Sequence, residues 1–530
     1  VKVDDLSHEL YNLGHFYEAA TAYYQATGKQ KILDIAIKSA DLVDREFGYG
    51  KIENFPGHQE IEIGLVKLYR VTGEKRYLDL AKFFLDIRGI GIGEKTTYNN
   101  VLSGVSLRGD RFFYPNPLES NGQHQRSEWF GCACCPSNIS RFIPSMPNYI
   151  YAQKENDLYV NLFVAGSTTF ETPKGKLKLT QQSNMPWNGQ ITAMVEPEEP
   201  FKANLLVRIP GWASEQPVPG NLYEFLNAPS SATVFKINGK ETTPDIKNGY
   251  AILSKNWNPG DKVEIVFPYE VRKIKAHPNV EDNRGKMAVQ LGPLVYCAEW
   301  ADYDDPYIFD LFLAENEKLS FDFYPGKLGG LNVISGHASV LKKGEGPDKG
   351  ERYPQKFTAI PYYAWAHRGK GQMEVWIPTS EEYIRSKPEP TIASQSNVEA
   401  SLETNALQGI NDQLLPKNSA DKSHTLYHWW PRTNEKHWIV YHFKEPKTVS
   451  ECGIYWLKDI PDGGCDLPEW YKLYYKKGQN WVEVDAETSY PMMKDELNKV
   501  VFAPVTTTSM KLEVQLSEKY SAGVHEWTVE

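Results

Sequence analysis

The sequence predicts a multidomain α + β chain: helical hairpins first, β-sandwich domains after them, and a separate β-sandwich at the C-terminal end. Three observations carry this reading. A motif recurs at a 45-residue offset within residues 7 to 89. From about residue 150 the apolar pattern changes from helical spacing to alternation. A linker, Ser386-Lys387-Pro388-Glu389-Pro390, then sets off a tryptophan-rich final segment. At 530 residues the chain is too long for one core, and roughly two to four domains are expected.

The helical part shows its repeat directly. Tyr24-Gln25-Ala26-Thr27-Gly28-Lys29 is followed by Leu33-Asp34 and Ala36, and Tyr69-Arg70-Val71-Thr72-Gly73-Glu74 by Leu78-Asp79 and Ala81. In each copy a helix stops at a glycine, which adopts the left-handed C-cap without strain, and another begins within a few residues. Two-helix units at this period stack as a solenoid or close into an α/α toroid. Each copy is entered through Gly-His, at Gly14-His15 and Gly57-His58. His8 lies two helical turns before His15, on the same face. Histidines at repeat-equivalent helix ends point to a cavity lining, whereas a lone histidine is by default structural. His8-Glu9 is not a zinc-protease motif, because the second histidine would fall at Asn12.

Beyond residue 150, Asp157 to Val164, Leu205 to Ile209 and Lys262 to Phe267 alternate between glycine, proline and asparagine turns. Met287 to Tyr296, with Gly292-Pro293 inside it, and Gln372 to Ile377 continue the pattern, as β-sandwiches require. Residues 391–530 carry Trp429-Trp430, Trp438, Trp456, Trp470, Trp481 and Trp527. The runs Lys436 to Phe443, Gly453-Ile454-Tyr455-Trp456 and Ala522 to Trp527 resemble discoidin-like (galactose-binding-like) β-sandwiches, whose members include carbohydrate binders and plain packing units.

Composition narrows the function classes. A net charge of −10 and a pI near 5.8 argue against nucleic acid, and no basic run suits an anionic membrane. No run of about 18 apolar residues is present to span a bilayer. Aromatics reach 13%, with 14 Trp and 31 Tyr, and such faces stack on sugar rings, although sandwich cores also use them. The opening Val1-Lys2-Val3-Asp4-Asp5 has neither an initiator methionine nor a signal peptide, so it reads as a cut. The compartment is not read from this opening and stays unknown, a bacterial periplasmic or extracellular one being only slightly favoured over the cytoplasm, and the oligomeric state is left open.

The chemistry concentrates in Trp129-Phe130-Gly131-Cys132-Ala133-Cys134-Cys135-Pro136-Ser137-Asn138, which holds three of the six cysteines. Neighbouring cysteines pair with each other only under strain. They can instead offer two thiolates to one soft cation, and zinc is the usual partner of sulfur-rich sites. A metal-bound thiol loses its proton, so the cluster could hold a nucleophile at neutral pH. Two other readings stay open at this point: a buried, reduced cysteine patch, and a structural zinc knot that would want a second ligand pair nearby.

Taken together, Ser7-His8-Glu9-Leu10-Tyr11 with Gly14-His15, Gly57-His58-Gln59-Glu60-Ile61-Glu62, Phe112 to Glu119 and the cysteine run through Arg141-Phe142 resemble bacterial β-L-arabinofuranosidases of glycoside hydrolase family 127, with family 146 similar. Weaker echoes follow in Ile209-Pro210-Gly211-Trp212, Gly292 to Tyr296 and Pro361 to Trp365. The resemblance covers about residues 1 to 378. It implies an α/α six-hairpin toroid, incomplete in this chain, within residues 1–150, then β-sandwich domains in 151–385; residues 391–530 stay apart as the discoidin-like module.

It also implies a retaining hydrolase in which a zinc-held cysteine replaces the usual carboxylate nucleophile. Cys134 matches the nucleophile and zinc ligand, Cys135 a second ligand, and His8, His58 and Tyr114 the residues that hold the arabinose. The expected partner is an arabinose-containing, pectin-like glycan of plant cell walls. The family's Glu-x-Cys ligand pair and its upstream general acid/base are not recognisable here, and Glu94 is not promoted to that role. Two repeats cannot close a six-hairpin ring, so the numbering is expected to close over missing residues between Arg88 and Glu94. A polysaccharide lyase on an α/α toroid, which needs no cysteine cluster, and a non-catalytic carbohydrate-binding protein are the competing classes.

Overall fold

The computed structural model describes residues 8–55, 58–88, 97–218, 220–343, 350–404, 406–422 and 424–530. The expectations placed on Gly57, on the join from Gly89 to Glu94 and on the resumed helix at Glu94 lie outside the described residues. The chain forms two compact units, Val1–Thr96 with Val218–Gly220, and Thr97–Pro217 with Asn221–Glu530. Most of the described structure is β-sheet, with few helices.

The first unit is a pair of helical hairpins: α1 (Glu9–Thr27) with α2 (Lys31–Glu46), and α3 (Ile61–Thr72) with α4 (Lys75–Arg88). The repeated glycines cap α1 and α3 as expected. Gly28 (φ 69°) and Gly73 (φ 76°) are left-handed and donate their N–H groups to Tyr24 and Tyr69 carbonyls at 2.7 and 2.8 Å. The Gly-His pair of the first copy differs from its expected place. Gly14 and His15 lie inside α1 rather than at its start, because Gly14 serves a helix crossing. A Cβ on Gly14 would come within 2.5 Å of the Glu60 carbonyl, and one on Gly64 within 2.6 Å of the Gly14 oxygen. Leu10, Tyr17, Leu33, Leu65, Leu68 and Phe84 close the core between the hairpins. Ile35 is half exposed at 52%. It falls on the opposite side of α2 from Leu33 and Ala36.

The second unit carries four sheets. A six-stranded and a five-stranded sheet, built from residues 151–266, share one core that includes Leu158, Val195, Leu205, Leu253, Trp257 and Ile265. An eleven-stranded sheet follows in 223–378, and it also takes in the short strand Glu119–Ser120, paired with Met373–Glu374. Gly292-Pro293 is the turn between its strands Lys286–Leu291 and Leu294–Glu299. Residues 397–529 make a seven-stranded sheet around the long strands Lys436–Leu457 and Leu497–Gln515, with a core of its own. Residues 97–150 belong to this second unit.

Candidate active site

The cysteine run is fixed by what lies beneath it. Helix α5 (Cys134–Ser145) begins at the vicinal pair, so Cys134 and Cys135 occupy its first two positions. Pro136 follows within the first turn, where a missing N–H costs nothing. The helix packs closely on the segment before it, since a Cβ on Gly104 would sit 2.7 Å from Ile139 Cδ1. That segment is tied to the large sheet by buried Asn99, whose amide donates to the Pro293 carbonyl (2.9 Å) and whose oxygen accepts from Val295 N–H (2.7 Å). Buried Arg126 donates to the carbonyls of Ser103 and Trp365, and Tyr362 to that of Pro117. The weaker echoes at Gly292 to Tyr296 and Pro361 to Trp365 are therefore the site's supports.

Antiparallel bonding between Phe112 and Ser127 gives residues 112–114 strand-like alternation. Phe113 goes inward and stacks on Trp365 at 5.1 Å, while Tyr114 is 57% exposed and meets Phe130 edge-on at 5.6 Å. Phe112, Tyr114, Pro115, Phe130, His124 and Cys132 line a cavity of about 340 Å³, with Gln123, Gln125 and Ser127 completing its wall. Burial holds His124 below its ordinary pKa, so its ring is neutral at pH 7. Sequence reasoning missed His124, Gln123 and Gln125, for they form no motif. Only the pairing of residues 112 and 127, set up by the fold, turns them toward the cavity.

Three thiols meet beside Tyr114. The sulfurs of Cys134 and Cys135 stand 3.8 Å apart, both free, and Cys135 Sγ points at the Tyr114 carbonyl from 4.0 Å. Cys132 completes a Cys-x-x-Cys spacing with Cys135 and faces the cavity. Burial, then the neighbouring Cys134 and Cys132, push the Cys135 thiol up to about 11. The same sulfurs, Cys134 foremost, raise the Tyr114 hydroxyl. Mutual repulsion thus keeps this cluster from carrying several negative charges unaided, while the N-terminus of α5 and a bound cation would both favour thiolate. Two sulfurs at about 2.3 Å from a tetrahedral ion stand roughly 3.8 Å from each other. The observed separation fits such an ion.

In the helical unit His8 and His58 come together, with ring centres 5.1 Å apart. Tyr11 lies 5.5 Å from His58 and 4.5 Å from His15. His15 Nδ1 is 3.1 Å from buried Glu60, and with Glu18 these donors lie close enough to share a cation, although Lys67 already pairs with Glu18. Of the residues singled out from sequence, Cys134, Cys135 and Tyr114 therefore gather in one unit, and His8 and His58 in the other.

The second unit thus sets a vicinal thiol pair at the start of a helix, beside a cavity of aromatic and polar side chains on a β-sheet scaffold. Comparison with known proteins makes the class definite. The family model for the β-L-arabinofuranosidase GH127 catalytic domain matches residues 2–96 and 90–148, that for the GH127 middle domain residues 157–269, and that for the family's C-terminal domain residues 271–378. A GH127 β-arabinofuranosidase of known structure is 35% identical, with a TM-score of 0.61 over 73% of this chain and 79% of its own. A GH127 β-L-arabinofuranosidase from Geobacillus stearothermophilus T6 is 30% identical, with a TM-score of 0.56 over 71% and 80%. The non-reducing end β-L-arabinofuranosidase of Bifidobacterium longum subsp. longum is 26% identical over 539 residues, covering 70% of this chain and 78% of that enzyme. The protein is a glycoside hydrolase. It belongs to glycoside hydrolase family 127.

Proposed function

We propose that this chain releases β-L-arabinofuranose from arabinofuranoside-containing glycans, with the Cys134 thiolate as nucleophile and retention of configuration. The observation that carries the reading is the free Cys134–Cys135 pair at the start of α5, its sulfurs 3.8 Å apart. Zinc held by both residues would keep Cys134 deprotonated. Cys134 then attacks the anomeric carbon as the glycosidic C–O bond breaks, giving a thioglycoside and the aglycone, whose oxygen takes up a proton from the general acid or from solvent. Water displaces the sulfur in a second inversion, which returns the original configuration. Tyr114, His8 and His58 are assigned to the sugar hydroxyls. The cavity wall of aromatic and amide side chains suits a sugar ring, and the other named members of the family support the arabinofuranoside. Pectin-like cell-wall glycans are the natural source of such termini.

We also propose that the full protein is longer than this chain at one internal place. The catalytic family model meets the chain as two separate matches that join within residues 90–96. The alignment with the Bifidobacterium enzyme runs over 539 residues while using only 70% of this chain. Both support residues missing between Arg88 and Glu94, where the resemblance would put the rest of an α/α toroid, the remaining ligand pair and the general acid/base. The final 140 or so residues are proposed as a discoidin-like β-sandwich, supported by their seven-stranded sheet and separate core.

The experiment is zinc analysis of the purified protein together with assay on an aryl β-L-arabinofuranoside. One zinc per chain and release of L-arabinose of retained configuration are expected. Metal-free protein at full activity, or an inverted product, would reject the mechanism.

A further inference from the structure

The C-terminal sheet has an outer face whose composition its core does not explain. Alternation along the central strands sends Ile439, Tyr441, Tyr471, Leu473, Leu512 and Val514 into the core, so the residues between them face outward. There the register sets Gln515 between Lys436 and Trp470, and pairs Lys472 with Glu513, Lys511 with Tyr474 and Lys476 with Trp481. The ammonium groups lie on the rings. Lys436 Nζ is 4.9 Å from the Trp470 ring centre, Lys476 Nζ 4.9 Å from that of Trp481, and Lys511 Nζ 4.3 Å from that of Tyr474. Lys472 and Lys511 also meet Glu483 (2.9 Å) and Glu513 (3.1 Å). Among the described residues, Lys436 and Lys476 make no ion pair.

We propose that this face binds an acidic, uronate-bearing polysaccharide through Lys436, Lys472, Lys476 and Lys511. Their four positive charges stand against two carboxylates in these rows, on a chain whose net charge is −10. A polyanion repelled elsewhere is drawn to this patch. The rings are covered by ammonium groups rather than open for stacking, so the patch offers fixed cations and selects carboxylate over neutral sugar. Pinning the lysines on aromatic faces lowers the side-chain entropy lost when a ligand binds. Docking on a polymer would raise the hydrolase's effective concentration at arabinofuranoside branches of the same polymer.

The test is affinity electrophoresis of the whole chain in native gels containing polygalacturonate, neutral arabinan or no polysaccharide. Polygalacturonate should retard the protein, arabinan should not, and the retardation should shrink as sodium chloride rises. Lys436→Gln and Lys476→Gln should each weaken the apparent affinity about fivefold, with unchanged melting curves and unchanged hydrolysis of a small aryl glycoside. Absence of retardation, equal retardation by arabinan, or an unaffected double variant would overturn the proposal. Retention on duplex DNA equal to that on polygalacturonate would overturn the assignment to a polysaccharide.

Discussion

At the scale of single residues the account rests on sulfur. A serine hydroxyl is a far weaker nucleophile than a thiolate, so Cys134→Ser should lower kcat on the order of a thousandfold or more while the melting curve stays in place. Cys135→Ser should lower zinc content as well as activity, because it removes a proposed ligand. Tyr114→Phe deletes one hydroxyl and should reduce kcat/KM by up to about tenfold, the worth of one neutral hydrogen bond. Steady-state kinetics with metal analysis separate the three. The grouping of Cys132, Cys134 and Cys135 was legible in the sequence because the motif is contiguous, whereas Tyr114 was singled out only through the family resemblance. His124 was not legible, since its place in the wall depends on Phe112 bonding to Ser127, a contact that no local pattern records.

At the scale of elements two devices can be tested. The crossing of α1 and α3 leaves no room for a Cβ at Gly64, so Gly64→Ala should destabilise the helical unit by about 1–3 kcal/mol in chemical denaturation. The strand Glu119–Ser120, which lies between the two stretches of the cavity wall, pairs with Met373–Glu374. Burial pushes the Glu374 carboxyl up to about 8, with Lys286 opposing the shift and Glu119 adding to it. The folded state therefore keeps a proton that the unfolded chain releases above roughly pH 4.5. Its stabilising contribution is complete below that pH and is lost as pH rises through about 8. Melting temperatures should fall between pH 5 and 9, and Glu374→Gln should flatten that fall. The capping glycines were readable from sequence because a positive φ is a local demand. Gly14 was misread as a helix entry because a helix crossing is set by the partner helix.

At the scale of the whole molecule the change of period near residue 150 and the linker before residue 391 made the order of helical and β parts readable, since alternation over many strands is a cumulative signal. How the strands sort into sheets was not readable, because pairing such as Asp157–Val160 beside Phe201–Arg208 joins distant segments. The expected join between Arg88 and Glu94 has a direct check. A tryptic map of the native protein should lack the continuous peptide from Gly89 to Lys95 and contain peptides absent from this sequence.

The central claim, a glycosylated cysteine, is tested most directly by trapping. An aryl β-L-arabinofuranoside needs little protonation of its leaving group, so the first step proceeds even where acid assistance is weak. After rapid acid quench, peptide mapping should find the mass of one anhydropentose on the peptide bearing Cys134, absent in Cys134→Ser. The same mass on a carboxylate side chain, or full turnover without any Cys134 adduct, would contradict the account.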